Sequence, residues 1–175
     1  MNKIHRQLLN ILIRYVLLLL VAFPDLFIFY LIFTPITIYL AFFLLNLFFE
    51  ASLSGNIIFL DDVSIKIIPA CVAGAAYYLL LILNFSTPNI EFRKRVKMIF
   101  VAFASLLILN ILRILILSFI TLSKPSLFNT THEVFWYGIS TLSVVGIWFA
   151  EVKLFKIKQI PFYSDIKFVF SKIKC

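Results

Sequence analysis

The stretch Leu106-Leu107-Ile108-Leu109-Asn110-Ile111-Leu112-Arg113-Ile114-Leu115-Ile116-Leu117 decides how this chain is read. Apart from Asn110 and Arg113, every residue in it is Leu or Ile. The apolar run continues on both sides, from about residue 98 to 121. A helix needs about 20 apolar residues to cross the hydrocarbon core, and this run supplies them. A central Arg in such a helix costs at least about 2.5–3.5 kcal/mol, so Arg113 marks a candidate functional site as well as a span. Asn110 lies three residues away, on the same helix face.

The rest of the chain has the same character. Its 175 residues are 63% hydrophobic and 14% charged, against roughly half and a quarter in a soluble domain. That excludes water-soluble globular, disordered, fibrous and disulfide-scaffold classes, and leaves an all-α membrane protein of several spans. The net charge of +8 would suggest nucleic acid in a soluble protein. Here the basic residues flank apolar runs, which is the pattern that orients membrane spans, and no nucleic-acid partner is implied. Two cysteines, Cys71 and Cys175, do not make a disulfide framework or a zinc site, and no motif calls for a cofactor or metal. Lys3 and Arg6 before an apolar run resemble a signal peptide. The run continues past any small-residue cleavage site and reads as a span.

Five spans follow, near residues 7–23, 26–49, 70–86, 98–121 and 132–151, in a single membrane domain. Residues 8–49 hold two of them, with a turn at Pro24-Asp25 and a kink at Thr34-Pro35, or the reverse. Residues 54–68 read as a small hairpin of β-branched strands around Asp61-Asp62, lying outside the membrane. The loop 91–97 and the tail 153–175 carry ten Lys and Arg between them, which places both in the cytoplasm. Five spans then put the N-terminus, the hairpin and the 122–131 loop outside, against the preference of Lys3, Arg6 and Arg14 for the inside.

Polar residues within spans carry the information in so apolar a chain. Cys71 follows Pro69, which suits a first helical turn, so the thiol is expected near a helix N-terminus that favours a thiolate. The alternative is a small buried apolar residue. His132 follows Thr130 and Thr131, either of which can cap a helix and put His132 in its first turn. The alternative is an interfacial His in an aromatic belt with Trp136 and Tyr137. Arg113 with Asn110 could simply pair helices. Taken together, Cys71, Arg113 and His132 lie at one side of the membrane on three consecutive spans. That is the inventory of a cysteine acyl-transfer site: a thiolate nucleophile, an acid–base and a fixed cation for the oxyanion. Arg14, Asn84 and Glu151 are expected to be structural, with Arg14 and Glu151 reaching the interface from span ends.

The order Cys71, Asn110-x-x-Arg113, His132, with the Cys opening a span behind an outward β-rich loop, resembles the exosortase/archaeosortase family of multi-pass membrane enzymes in a short archaeal form. The resemblance covers roughly residues 35–150. It departs from the family pattern Cys-x-Gly, because this chain reads Cys71-Val72-Ala73-Gly74. The resemblance implies a cysteine transpeptidase in the cell membrane, with its site toward the extracytoplasmic face. It implies that C-terminal sorting signals of membrane-anchored precursors are cleaved through a thioester and passed to an acceptor such as a lipid. Cys71 would be the nucleophile, His132 the acid–base, Arg113 the oxyanion partner and Asn110 a support. The competing readings are a small transporter subunit using Arg113 as an anion site, and a non-catalytic membrane protein.

Overall fold

The computed structural model describes residues 3–60, 63–123 and 125–173. It is mostly helical, with one small antiparallel sheet. Helix α1 spans Lys3–Ala22 and α2 Phe27–Asn46. Strands β1 (Ala51–Ser54), β2 (Ile57–Leu60) and β3 (Val63–Lys66) form a meander. A four-residue helix α3 (Pro69–Val72) leads into α4 (Gly74–Phe85). The longest helix, α5, runs Phe92–Ser123. After a 3-10 turn, α6 (Phe128–Glu133), a π-helical turn (Val134–Ile139) and α7 (Ser140–Leu154) form one continuous helical rod. The tail folds into α8 (Tyr163–Ile173).

Among the described residues, three helices are long and apolar enough to cross a membrane: His5–Ala22, Phe27–Asn46 and Phe92–Ser123. Pro69–Phe85 is apolar but shorter. The five spans expected from the sequence therefore correspond to three full-length apolar helices, the shorter α3–α4 and the broken α6–α7 rod.

The break at Pro24-Asp25 is real, with Asp25 and Leu26 both at positive φ. It does not reverse the chain, as two opposed spans would need. Arg14 lies against the Phe85 carbonyl, and the Leu18 carbonyl accepts a bond from Tyr78 Oη at 3.0 Å, so α1 runs antiparallel to α4. Along α2, Phe29 and Phe33 stack near Phe103 of α5, while Phe48 and Phe49, just past its end, meet Phe119. Helix α2 is thus parallel to α5, and both α1 and α2 head toward the sheet. Lys3 and Arg6 lie toward the end opposite the sheet, with the tail and residues 92–97, which form the first turns of α5 instead of the expected loop. This corrects the expected placement of the N-terminus beside the hairpin, and it removes the conflict with the basic residues. Pro35 sits inside α2 without ending it.

The sheet is larger than the expected hairpin. Strands β2 and β3 pair as foreseen, with Ile58 opposite Ile65, but β1 adds a third strand through Leu53 opposite Ile58. Gly55 turns β1 into β2 at φ 61°. Asp61-Asp62, the expected turn, lies outside the described residues. Ile58 and Leu60 are fully buried, which holds the sheet onto the helices as a cap.

The core is aromatic where α2, α4 and α5 meet. Phe33 stacks on Tyr77 with centroids 3.8 Å apart, and Phe103 meets Tyr77 edge-on at 5.3 Å. Tyr30 fills the space where a Cβ on Gly74 would stand, 2.8 Å from its ring, so the start of α4 needs glycine to pack this closely.

At the end opposite the sheet, arginines cap α4. Arg95 donates to the carbonyls of Asn84, Phe85 and Thr87 at 2.7, 3.0 and 2.9 Å. Arg14 donates to the Phe85 carbonyl and binds Asp165 of α8 through Nη2 at 2.8 Å to both oxygens. Cations on the C-terminal carbonyls of a helix satisfy its orphan acceptors and its dipole. These contacts correct two expectations. Arg14 turns into the protein instead of reaching the interface, and Arg95 is a buried cap instead of a solvated loop charge.

Candidate active site

Between the sheet and the helices lies a cavity of about 400 Å3. Its walls include Lys66 and Ile67 at the end of β3, Cys71 of α3, Arg113 and Ser118 of α5, and His132 of α6. Cys71, Arg113 and His132, which stand on three separate segments of the sequence, thus line one half-open cavity.

The local chain explains how Cys71 gets there. Pro69 starts α3, and Ala73 ends it after one turn by adopting a left-handed conformation at φ 60°. The break leaves the Ala70 and Cys71 carbonyls outside α4's own hydrogen bonding. Two side chains of α5 take them. Asn110 Nδ2 donates to the Cys71 carbonyl at 2.6 Å, and Arg113 Nη2 donates to the Ala70 carbonyl at 3.2 Å and more weakly to that of Cys71 at 3.4 Å. The Asn-x-x-Arg spacing puts both donors on one face of α5, one above the other, which is what two adjacent carbonyls require. Asn110 is nearly buried, and its bond to Cys71 is its role.

The Cys71 setting differs from the expected one. Its own N–H is taken by the Ile68 carbonyl at 2.8 Å, and α3 is too short to build a dipole. The polar groups fixed at this segment are Asn110 and Arg113, not a free helix N-terminus. The thiol segment sits at the same level of α5 as Arg113.

Arg113 makes one more bond. Nη1 donates to Ser140 Oγ at 3.1 Å, and Ser140 Oγ donates to the Phe135 carbonyl at 2.8 Å. The Phe135 acceptor lies five residues back, within the π-helical turn, where regular α-helical pairing is lost. Such π turns are often found at functional sites. Arg113 thereby ties the thiol segment to the helical rod that carries His132. Its Nε is buried and has no partner among the described residues. Ser140 is a site residue that the sequence reading missed. Its only signal was one hydroxyl among several, with Thr141 and Ser143 close by, and nothing in the sequence announces a π turn.

His132 sits in the last turn of α6, not the first, because α6 begins at Phe128 with Leu127 as its N-cap. Neither Thr130 nor Thr131 caps it. Cys175 lies outside the described residues. Among the described residues no group of three or more His, Cys, Asp or Glu is gathered as a metal site would need.

Glu151 and Asn84 are the other polar pair within the helices. Both are buried, and Asn84 Nδ2 donates to Glu151 Oε2 at 3.1 Å. Glu151 faces the protein interior, not the interface as expected from its place at a span end.

A sequence model of the transmembrane exosortase family matches residues 4–149. No curated protein and no solved structure matches the chain.

Proposed function

The chain belongs to the transmembrane exosortase family, and from that premise we propose that it is a membrane-embedded cysteine transpeptidase acting on membrane-anchored precursors. The observation that carries the proposal is the shared cavity: Cys71, Arg113 and His132 line it together, beside a sheet edge that an extended peptide can reach.

In this reading the Cys71 thiol gives its proton to His132 and attacks the carbonyl carbon of the scissile peptide. A C–S bond forms as the carbonyl oxygen takes up negative charge. Arg113 Nε, buried and unpartnered among the described residues, and the second Nη1 proton are the donors left over for that oxygen. Collapse breaks the C–N bond, and the leaving amine takes the proton from His132. An acceptor hydroxyl or amine then loses its proton to His132, attacks the thioester and returns the thiol. A lipid acceptor reaches the site by diffusion in the membrane. The sorting-signal precursor and the lipid acceptor are the partners this reading requires, and the sheet end is its extracytoplasmic face.

Asn110 and Arg113 also act as positioning residues, since both hold the carbonyls of the thiol segment. The engagement of Arg113 with Ala70, Cys71 and Ser140 weighs against the transporter reading, in which an anion site would keep the guanidinium open.

The test is precursor processing in intact cells. In a Cys71→Ala variant, uncleaved precursors should accumulate in the membrane while the variant protein is present at the normal level. Processing at the normal rate would overturn the proposal.

A further inference from the structure

A groove runs along the seam between α5 and α7. Its lower part is a cavity of about 290 Å3 whose walls include Ser105, Ser143, Gly146, Ala150 and Glu151. Its upper part, about 220 Å3, contains Arg113, Asn110 and Ser140. Leu109 and Ser143 line both parts, so the two adjoin. Arg113 also lines the cavity that holds Cys71 and His132. A row of neighbouring cavities therefore leads from the reaction site down the side of the helices to Glu151.

Two features show what fits it. Ser143, Gly146 and Ala150 stand at spacings of three and four on α7 and leave a shallow trough, and small residues of this kind let a second helix approach closely in a membrane. At the lower end, Glu151 is 2% exposed and its Oε1 has no hydrogen-bond partner among the described residues. A buried carboxyl oxygen without a donor is costly, and an acyl chain cannot supply one. A helix carrying Lys, Arg, Ser, Thr or an amide can.

We infer that this groove is the docking site for the transmembrane helix of the polypeptide processed at Cys71, and that Glu151 selects for a donor side chain on that helix. The identity of the occupant as substrate rests on the transpeptidase reading. The shared wall at Arg113, between the groove and the Cys71 cavity, supports it. Glu151 and Ser140 are eleven residues apart on α7, about 16 Å along the axis. The selected donor therefore lies about three helical turns from the end of the docked helix that enters the site.

The test uses the full chain, labelled with a donor fluorophore and reconstituted in phosphatidylcholine vesicles. The probes are two synthetic Leu/Ala transmembrane peptides with an acceptor fluorophore. One carries a single Lys three turns from its N-terminal end, and the other carries Leu there. The Lys peptide should bind the unaltered chain about 3- to 30-fold more tightly. The preference should vanish in Glu151→Leu, and Gly146→Leu should weaken both peptides by blocking the trough. Equal binding of the two peptides to the unaltered chain overturns the inference without relying on any variant. So does an undiminished preference in Glu151→Leu, or self-association of the chain that Gly146→Leu abolishes while neither peptide binds, or a lipid that stays bound and that neither peptide displaces. Cys71→Ala should bind both peptides normally. If the Lys preference holds but Cys71→Ala still processes precursors, the transpeptidase reading falls alone.

Discussion

Replacing Arg113 by Leu tests the link between the guanidinium and the thiol segment. The break at Ala73 deprives the Ala70 carbonyl of a helical partner, and Arg113 Nη2 donates to it at 3.2 Å. The Cys71 carbonyl keeps Asn110 at 2.6 Å. Arg113→Leu therefore orphans one carbonyl, at about 1–3 kcal/mol. It also removes a buried charge, which offsets the global cost because an ion is expensive to desolvate. The loss should thus be local. Opening of residues 69–73 should become about 5- to 150-fold more frequent, which is 1–3 kcal/mol expressed as a population. Hydrogen–deuterium exchange in lipid nanodiscs reads this directly. Peptides covering 69–76 should exchange faster by that factor, while peptides covering 98–106 of α5 stay as in the unaltered chain. Unchanged exchange at 69–76 would refute the claim that Arg113 fixes the thiol segment. Uniform acceleration everywhere would refute its locality.

Three further outcomes follow from named contacts. Ser140→Ala removes the Nη1 partner of Arg113 and the bond to the Phe135 carbonyl, so precursor processing should slow by about 3- to 10-fold, a loss near that of one hydrogen bond to the site; a pulse-chase rate equal to the unaltered chain would contradict it. Arg14→Ala should lower thermal stability by more than an exposed ion pair would, about 3–5 kcal/mol, because its Asp165 partner is left with a side chain only 6% exposed. Adding Asp165→Ala should recover part of that loss in a double-mutant cycle, and strict additivity would show that the pair does not act as one unit. Gly74→Val should destabilise by about 1–3 kcal/mol, because even a Cβ would stand 2.8 Å from the Tyr30 ring, and Tyr30→Ala should relieve it in the double variant.

How much of this was legible beforehand varies with the physics behind each feature. The membrane class and the position of α5 followed from unbroken Leu and Ile, because the cost of an exposed polar backbone in lipid allows few alternatives. Cys71, Asn110, Arg113 and His132 stood out because polar atoms in such a background need a reason. Their meeting at one cavity depended only on three segments ending at one level. The direction of the first two helices was not legible. Pro24 and the positive φ values at Asp25 and Leu26 say where the helix stops, not through what angle the chain continues. The third strand was missed because Ala51–Ser54 carries little β-branched character of its own and pairs only once β2 is present. The inward turn of Arg14 and Glu151 was hidden for a different reason. A charged residue near a span end can reach the interface or cap a buried helix end, and only the neighbours, Asp165 and Asn84, decide between them.

The central claim is that Cys71 forms a covalent acyl intermediate with the precursor. The most direct measurement is mass spectrometry of the peptide containing Cys71 after acid quench of actively processing membranes, with and without neutral hydroxylamine. The account predicts an acyl adduct on Cys71 that neutral hydroxylamine removes, whereas any adduct formed in Cys71→Ser is an oxygen ester that resists the reagent. Continued processing in Cys71→Ala, with no adduct on Cys71 in the unaltered chain, would contradict it.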